Sequence, residues 1–169
     1  NVTIFDYSMT LSTRAISNIE EINNKIDLLF DECARRNNSY KDAVTASAQP
    51  ENFEPLVIAI SDVEALFDEL DKEYADKLTL ILEKGSTNYN MHIILANSVK
   101  SLSSMTFTKW FKTNASDSNG VWIGDGIDDQ YQLKFSNNNA GEKDDVEKGF
   151  GFVVTDGNAV KVKLSKEFW

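Results

Sequence analysis

The chain has 169 residues, 41% of them hydrophobic and only two of them proline, which suits a compact domain with a genuine core. Acids outnumber basic residues 27 to 17, for a net charge of −10, so no basic stripe exists to replace the counterions of a nucleic acid, and direct nucleic-acid binding is not expected. A single cysteine and a single histidine exclude an internal disulfide and a Cys/His zinc site, and no apolar run reaches the roughly 18 to 20 residues that span a bilayer. The expected setting is reducing and cytoplasmic, with no direct membrane contact by this segment.

In chain order, Val2-Thr3-Ile4-Phe5 is β-branched and aromatic and ends at Asp6-Tyr7-Ser8, which predicts a buried strand. So abrupt an opening leads us to expect the later part of a larger fold. From Ser17 to about Tyr40, Ile19, Ile22, Ile26, Leu29, Phe30 and Cys33 recur at three and four residues, with acids early and Arg35-Arg36 late; this predicts an amphipathic helix. Asn37 to Pro55 loses the period and reads as a loop before a strand at Leu56 to Ile60. Asp62 stands at an N-cap position, and Val63, Leu66, Phe67 and Leu70 follow at helical spacing. A further helix is expected from about Asp71 to Lys84, with Tyr74, Leu78, Ile81 and Leu82 inward and Gly85 ending it. Met91 to Ala96 is a short, fully apolar run suited to a central parallel strand.

This alternation argues for an α/β sheet with right-handed crossovers. Beyond it, Met105 to Thr113 reads as helix. Gly120 to Gly124, Tyr131 to Phe135, Gly149 to Thr155 and Ala159 to Leu164 read as short strands, the last two joined by a Thr155-Asp156-Gly157-Asn158 hairpin. Ser136 to Asp145 is a polar loop. The expectation is one domain over residues 1–169, an α/β sheet with flanking helices that ends in short antiparallel strands.

Open α/β sheets bind ligands at the carboxyl ends of their strands. Those ends place Asp6, Ser61, Asp62, Asn97 and Ser98 in view. An acid there can hold magnesium or orient a water, while Asp62 can equally cap its helix. No Gly-x-x-x-x-Gly-Lys-Ser/Thr loop exists, and Lys84-Gly85-Ser86 follows a helix in the wrong order. His92, inside an apolar strand without an acid neighbour, reads as a packed histidine, and Cys33 as an inert thiol on the inner face of its helix. Asp68, Glu69, Asp71, Glu73 and Asp76 read as a solvated face. Asp125, Asp128 and Asp129 lack the spacing and closing glutamate of an EF-hand and read as a turn. Trp110, Phe111 and Trp122 are expected in the core, while Phe168-Trp169 could serve as a docking handle.

Four segments in order resemble the second half of an FtsK/SpoIIIE-type ATPase domain of the EssC/EccC family, the coupling ATPases of type VII secretion. Val2-Thr3-Ile4-Phe5-Asp6 is similar to the strand after the phosphate-loop helix, and Leu29-Phe30-Asp31-Glu32-Cys33-Ala34-Arg35-Arg36 to the family's Leu-x-x-Glu-Met-x-Arg-Arg helix end. Pro55 to Leu66 resembles the Walker B strand and the helix after it. Asn90 to Ser98 resembles the Gly-Ile-His-hydrophobic-Ala-Thr-Gln segment that senses the γ-phosphate.

The resemblance implies a RecA-like, P-loop NTPase-type fold whose phosphate-loop part lies outside this chain, with ATP and magnesium possible only in the complete domain. It also implies departures. Ser61 and Asp62 stand for the family's Asp-Glu, Asn97-Ser98 for Thr-Gln, and Val99-Lys100 for Arg-Pro. Asp62 is then a vestigial Walker B residue, and the implied domain is degenerate and non-hydrolysing, since phosphoryl transfer depends on positioned charge. Its implied partners are small helical secreted substrates, other ATPase domains of the same chain and a homo-hexamer of the parent, as a cytoplasmic domain of a membrane protein. An active ATPase truncated in this chain is the nearest alternative. A von Willebrand A-type adhesion domain is another, since Asp6-Tyr7-Ser8-Met9-Thr10 matches its metal motif, although only 12 residues follow Gly157.

Overall fold

The computed structural model describes residues 2–6, 15–85, 89–115, 117–136 and 146–164, in two compact units, Asn1–Asn114 and Ala115–Trp169. In the first unit, β1 (Val2–Asp6), β2 (Leu56–Ser61) and β3 (Met91–Ala96) form a three-stranded parallel sheet in the order β1-β2-β3. The helices are α1 (Ile19–Thr45), α2 (Val63–Glu69), α3 (Lys72–Lys84), α4 (Val99–Met105) and α5 (Lys109–Asn114). The mixed α/β class and the boundaries of the three parallel strands follow the sequence closely.

The core forms because one residue in two along each strand meets the apolar stripes of the helices. Phe5, Ile58, Ile60 and Met91 are buried with Ile22, Ile26 and Leu29 of α1 and Leu78, Ile81 and Leu82 of α3. On the opposite face His92, Ile94 and Ala96 alternate on β3 and stay exposed, whereas Asp6 and Ser61 are buried. Among the described residues β3 pairs only with β2, so it is an edge strand here, contrary to the central position expected from its apolar run. His92 is correspondingly exposed, with its Nε2 2.9 Å from Asn90 Oδ1, and is not the packed residue its apolar neighbours suggest.

Two helical boundaries differ from expectation. Helix α1 runs five residues past Tyr40, because its polar last turns find partners in space: Tyr40 packs edge-on against Tyr89 at 5.4 Å, and Ser39 Oγ donates to Glu51 at 3.0 Å. Of the helix expected over Met105 to Thr113, only Lys109 onward is α-helical; an unexpected helix, α4, ends at Met105, and the two are separated where the Thr108 hydroxyl and amide both donate to the Met105 carbonyl. Gly85 does end α3, with φ of −59°; it fits there because a Cβ would lie 2.8 Å from the Ile81 carbonyl oxygen.

The second unit holds an antiparallel sheet of β4 (Gly120–Ile123), β5 (Phe150–Thr155) and β6 (Asn158–Lys163). Asp156 and Gly157 join β5 to β6 with φ of 49° and 76°, the doubly positive turn that Asp-Gly favours. A small core of Ile127, Phe152, Val154 and Ala159 lies under one face. Tyr131 to Phe135 is not a strand. Gln130, nearly buried, takes over the backbone pairing there: its Oε1 accepts from the Gln132 and Leu133 amides at 2.7 Å, and its Nε2 donates to the Ile127 and Leu133 carbonyls. No helix among the described residues is long and apolar enough to cross a membrane.

Candidate functional site

Parallel register gathers all five of the sequence-selected site residues at one edge. Asp6 is in register with Ser61, and Ser61 with Ala96, so the carboxyl ends of the three strands lie side by side and Asn97-Ser98 follow directly. Asp6 is fully buried and Ser61 nearly so. The chain leaves β2 through Asp62, whose φ of 49° and ψ of 65° put it in the left-handed region, where a non-glycine residue costs about 1 kcal/mol. Aspartate is among the side chains that tolerate this geometry.

Local hydrogen bonds account for most of what these residues do. The Asp62 amide donates to the Ala96 carbonyl at 2.9 Å, tying the end of β2 to the end of β3. Its Oδ1 caps α2 weakly, accepting from the Ala65 amide at 3.4 Å and from Ser101 Oγ at 3.5 Å. Asn97 Oδ1 accepts from the Val63 amide at 2.8 Å, a second satisfied donor at the start of α2. Ser98 Oγ accepts from the Ser101 amide at 3.2 Å and so caps α4. The polar atom left over is Asn97 Nδ2, which is buried and has no hydrogen-bond partner among the described residues.

The arrangement can offer a polar ligand the side-chain amide of Asn97 and the part-buried carboxylate of Asp62. Ser61 brings no charge to this edge, and Asp62 Oδ1 is engaged in capping. No group of three or more metal-ligating side chains occurs among the described residues.

The remaining expectations resolve individually. Cys33 is buried, and that burial pushes its thiol above the usual range, against the pull of Arg36. The carboxylates from Asp68 to Asp76 are exposed, and two of them pair with lysines on the same helix, Lys72 with Asp76 and Lys77 with Glu73. Asp125 forms a turn, its Oδ1 accepting from the Gly126 amide ahead of a single 3₁₀ turn at Ile127–Asp129. Trp110 is buried, and Trp122 is half-buried with its Nε1 donating to the Asp125 carbonyl. Tyr7, Ser8, Met9 and Thr10 of the adhesion-type motif, and Phe168-Trp169, lie outside the described residues.

The sequence reading missed two polar centres. Ser101 reaches Asp62, and the only signal for it was its position three residues after the Ser98 cap. At the other end of the sheet Arg36, 4% exposed, pins α1 to the segment entering β3. Its Nε donates to Glu32 Oε1 at 2.6 Å, and its Nη1 donates to the Tyr89 and Asn90 carbonyls at 2.9 and 3.3 Å. Arg35 and Arg36 both lie against the Phe53 ring, at 5.2 and 5.1 Å. The Arg35 guanidinium, helped by Arg36 and opposed by burial, holds the Glu32 carboxyl down at about 2.

The helix-flanked parallel sheet with polar strand ends, followed by short antiparallel strands, is the ATPase-type α/β fold found in FtsK/SpoIIIE-like coupling proteins. The cytoplasmic domain of EssC superposes on 98% of this chain with a TM-score of 0.68 at 14% identity. Thermomonospora curvata EccC, ATPases 2 and 3 in complex with a signal sequence peptide, superposes on 98% with a TM-score of 0.59 at 12% identity. The pCW3 conjugation coupling protein TcpA, solved with ATPgS, covers 96% with a TM-score of 0.59 at 14% identity. The chain spans 33%, 31% and 51% of the lengths of these three structures. No family profile and no curated protein sequence matches it.

Proposed function

We propose that residues 1–169 act as one degenerate ATPase-like domain of a type VII secretion motor, non-hydrolysing and devoted to substrate recognition and assembly. The observation that carries this reading is the strand-end chemistry. Ser61 is uncharged where the family's metal-orienting acid stands, while Asp62 and Asn97 spend their oxygens on the start of α2. A phosphoryl-transfer site works by charge and position, so this set lacks the means to hold and activate a metal-bound nucleotide. Recognition is supported by the EccC neighbour that was solved with a signal sequence peptide. The expected partners are small helical secreted proteins and other ATPase domains of the same parent, assembled as a hexamer at a membrane.

Isothermal titration of the natural protein with Mg-ATP tests the nucleotide half of the reading. We expect no turnover that depends on Asp62. Micromolar binding with hydrolysis abolished by Asp62→Asn would replace this reading with an active ATPase. Pull-down with a cognate secreted substrate tests the recognition half.

A further inference from the structure

Helices α1 and α3 leave an apolar cleft between them, with a volume of about 220 Å³. Its α1 wall is a stripe of Phe30, Cys33, Ala34, Asn37, Asn38 and Lys41, at intervals of three and four residues. Eleven residues of helix rise about 16 Å, three turns. The α3 wall is Leu80, Ile81 and Lys84. Leu80 is 41% exposed, large for a leucine on a helix whose neighbouring Ile81 is fully buried.

Three features point to an occupant. The cleft is larger than the roughly 150 Å³ apolar cavity that takes a benzene ring, so it has room for an aliphatic anchor. Among the described residues its charged lining is Lys41 and Lys84, in a chain where acids outnumber bases 27 to 17, and neither makes an ion pair there. The Asn37 side-chain oxygen is buried and has no hydrogen-bond partner among the described residues. A cleft with an apolar end of Phe30, Ala34, Leu80 and Ile81 and a polar, cationic end at Asn37, Lys41 and Lys84 fits an amphipathic helix laid into it.

Resting on the recognition reading above, we propose that the α1–α3 cleft is the docking groove for an amphipathic helix of the secreted partner. The helix seats an aliphatic side chain on Leu80 and Ile81, and its flanking carboxylates face Lys41 and Lys84. The chain's net negative charge opposes such a peptide only at long range. At physiological salt the screening length is about 8 Å, so acids farther away than that act weakly on a peptide in contact with the two lysines.

The test is fluorescence anisotropy on the full chain. Its probe is a labelled 20-residue helical peptide with leucine at alternating three- and four-residue spacing and glutamate on both flanks, compared with twins carrying lysine or glutamine there. We expect the glutamate peptide to bind about tenfold more tightly than the lysine twin, with the glutamine twin between them. Leu80→Glu, at an exposed position, should weaken it at least tenfold. The double variant Lys41→Glu with Lys84→Glu should invert the preference, which a folding defect cannot do.

Equal binding of the three peptides, or binding unchanged by Leu80→Glu, overturns the groove. So does sedimentation showing a dimer of the chain that Leu80→Glu dissociates, since the occupant is then a second copy. Pull-down separates the two readings. If the wild-type chain captures the secreted partner and Leu80→Glu captures it equally, recognition stands and this groove is not its seat. If the wild type captures nothing yet the peptide pattern holds, the groove stands and secretion recognition falls.

Discussion

Arg35 and Arg36 are adjacent in sequence, both touch Glu32 and both lie against Phe53, yet their removal should have very different consequences. Arg36 is 4% exposed, and its guanidinium is a donor to the Tyr89 and Asn90 carbonyls as well as to Glu32. Truncation to alanine removes the hydrogen bonds of a charged donor, worth about 1.5–3 kcal/mol, together with the packing of a buried stem. Breaking a buried ion pair costs roughly 3–5 kcal/mol when the surviving charge is stranded. Glu32 is not stranded, because its side chain is 31% exposed and keeps Arg35, so the lower end applies. We expect Arg36→Ala to cost about 3 kcal/mol.

Arg35 is 52% exposed and makes its bonds at the surface, so Arg35→Ala should cost less than about 1 kcal/mol. Arg36→Met, which keeps the stem and loses the donors, should fall between them at about 2 kcal/mol. Urea unfolding at pH 7 followed by helical circular dichroism measures all three, since every α-helix described belongs to the first unit. In thermal melts, a difference of about 2 kcal/mol between the arginine variants corresponds to roughly 4–8 °C. Arg36→Ala and Arg35→Ala agreeing within about 0.5 kcal/mol would refute the reasoning, because exposure would then not decide the cost.

Three further outcomes follow from the same geometry. Glu32 is depressed from 4.5 to about 2 in the fold, so its contribution is complete above pH 4.5 and is lost as the pH falls toward 2. Arg35 is the largest cause, and urea midpoints across that window should fall less in Arg35→Ala than in the wild type. Ser61→Asp sets a second buried carboxylate in register with Asp6. It should lower stability by about 2 kcal/mol at pH 7, regain it in acid as one carboxyl protonates, and confer no ATP hydrolysis in a phosphate-release assay. Gly151→Ala puts a Cβ 2.3 Å from the Trp122 carbonyl oxygen across the β4–β5 pair, and hydrogen exchange should show β4 and β5 loosened by about 2 kcal/mol or more.

The parallel strands were legible because their signal is local: short, mostly apolar runs of four to six residues that end at Asp, Ser or Asn. What escaped the sequence was set by contacts between distant residues. Asn37 to Thr45 loses its apolar period, and it is helical because Tyr89 and Glu51 come to meet it. Tyr131 to Phe135 alternates like a strand, but one buried glutamine satisfies its backbone instead of a neighbouring strand. The strand-end residues were all found, since their place follows from where strands stop. Ser101 was not, because its reach to Asp62 depends on how α4 folds back.

The identity of Asp62 bears most directly on function, because an acid after an apolar strand invites a catalytic reading. Its backbone sits in a conformation that costs about 1 kcal/mol for most side chains and that glycine adopts freely. A side chain kept there needs a reason, and capping supplies a partial one: the bond to the Ala65 amide is long at 3.4 Å, whereas Asn97 satisfies Val63 at 2.8 Å. Aspartate tolerates the geometry, caps one helix and receives Ser101 from the next. Ser61 adds no charge between Asp6 and Asp62, and the bonds that Asp62 makes join the end of β2 to β3, α2 and α4.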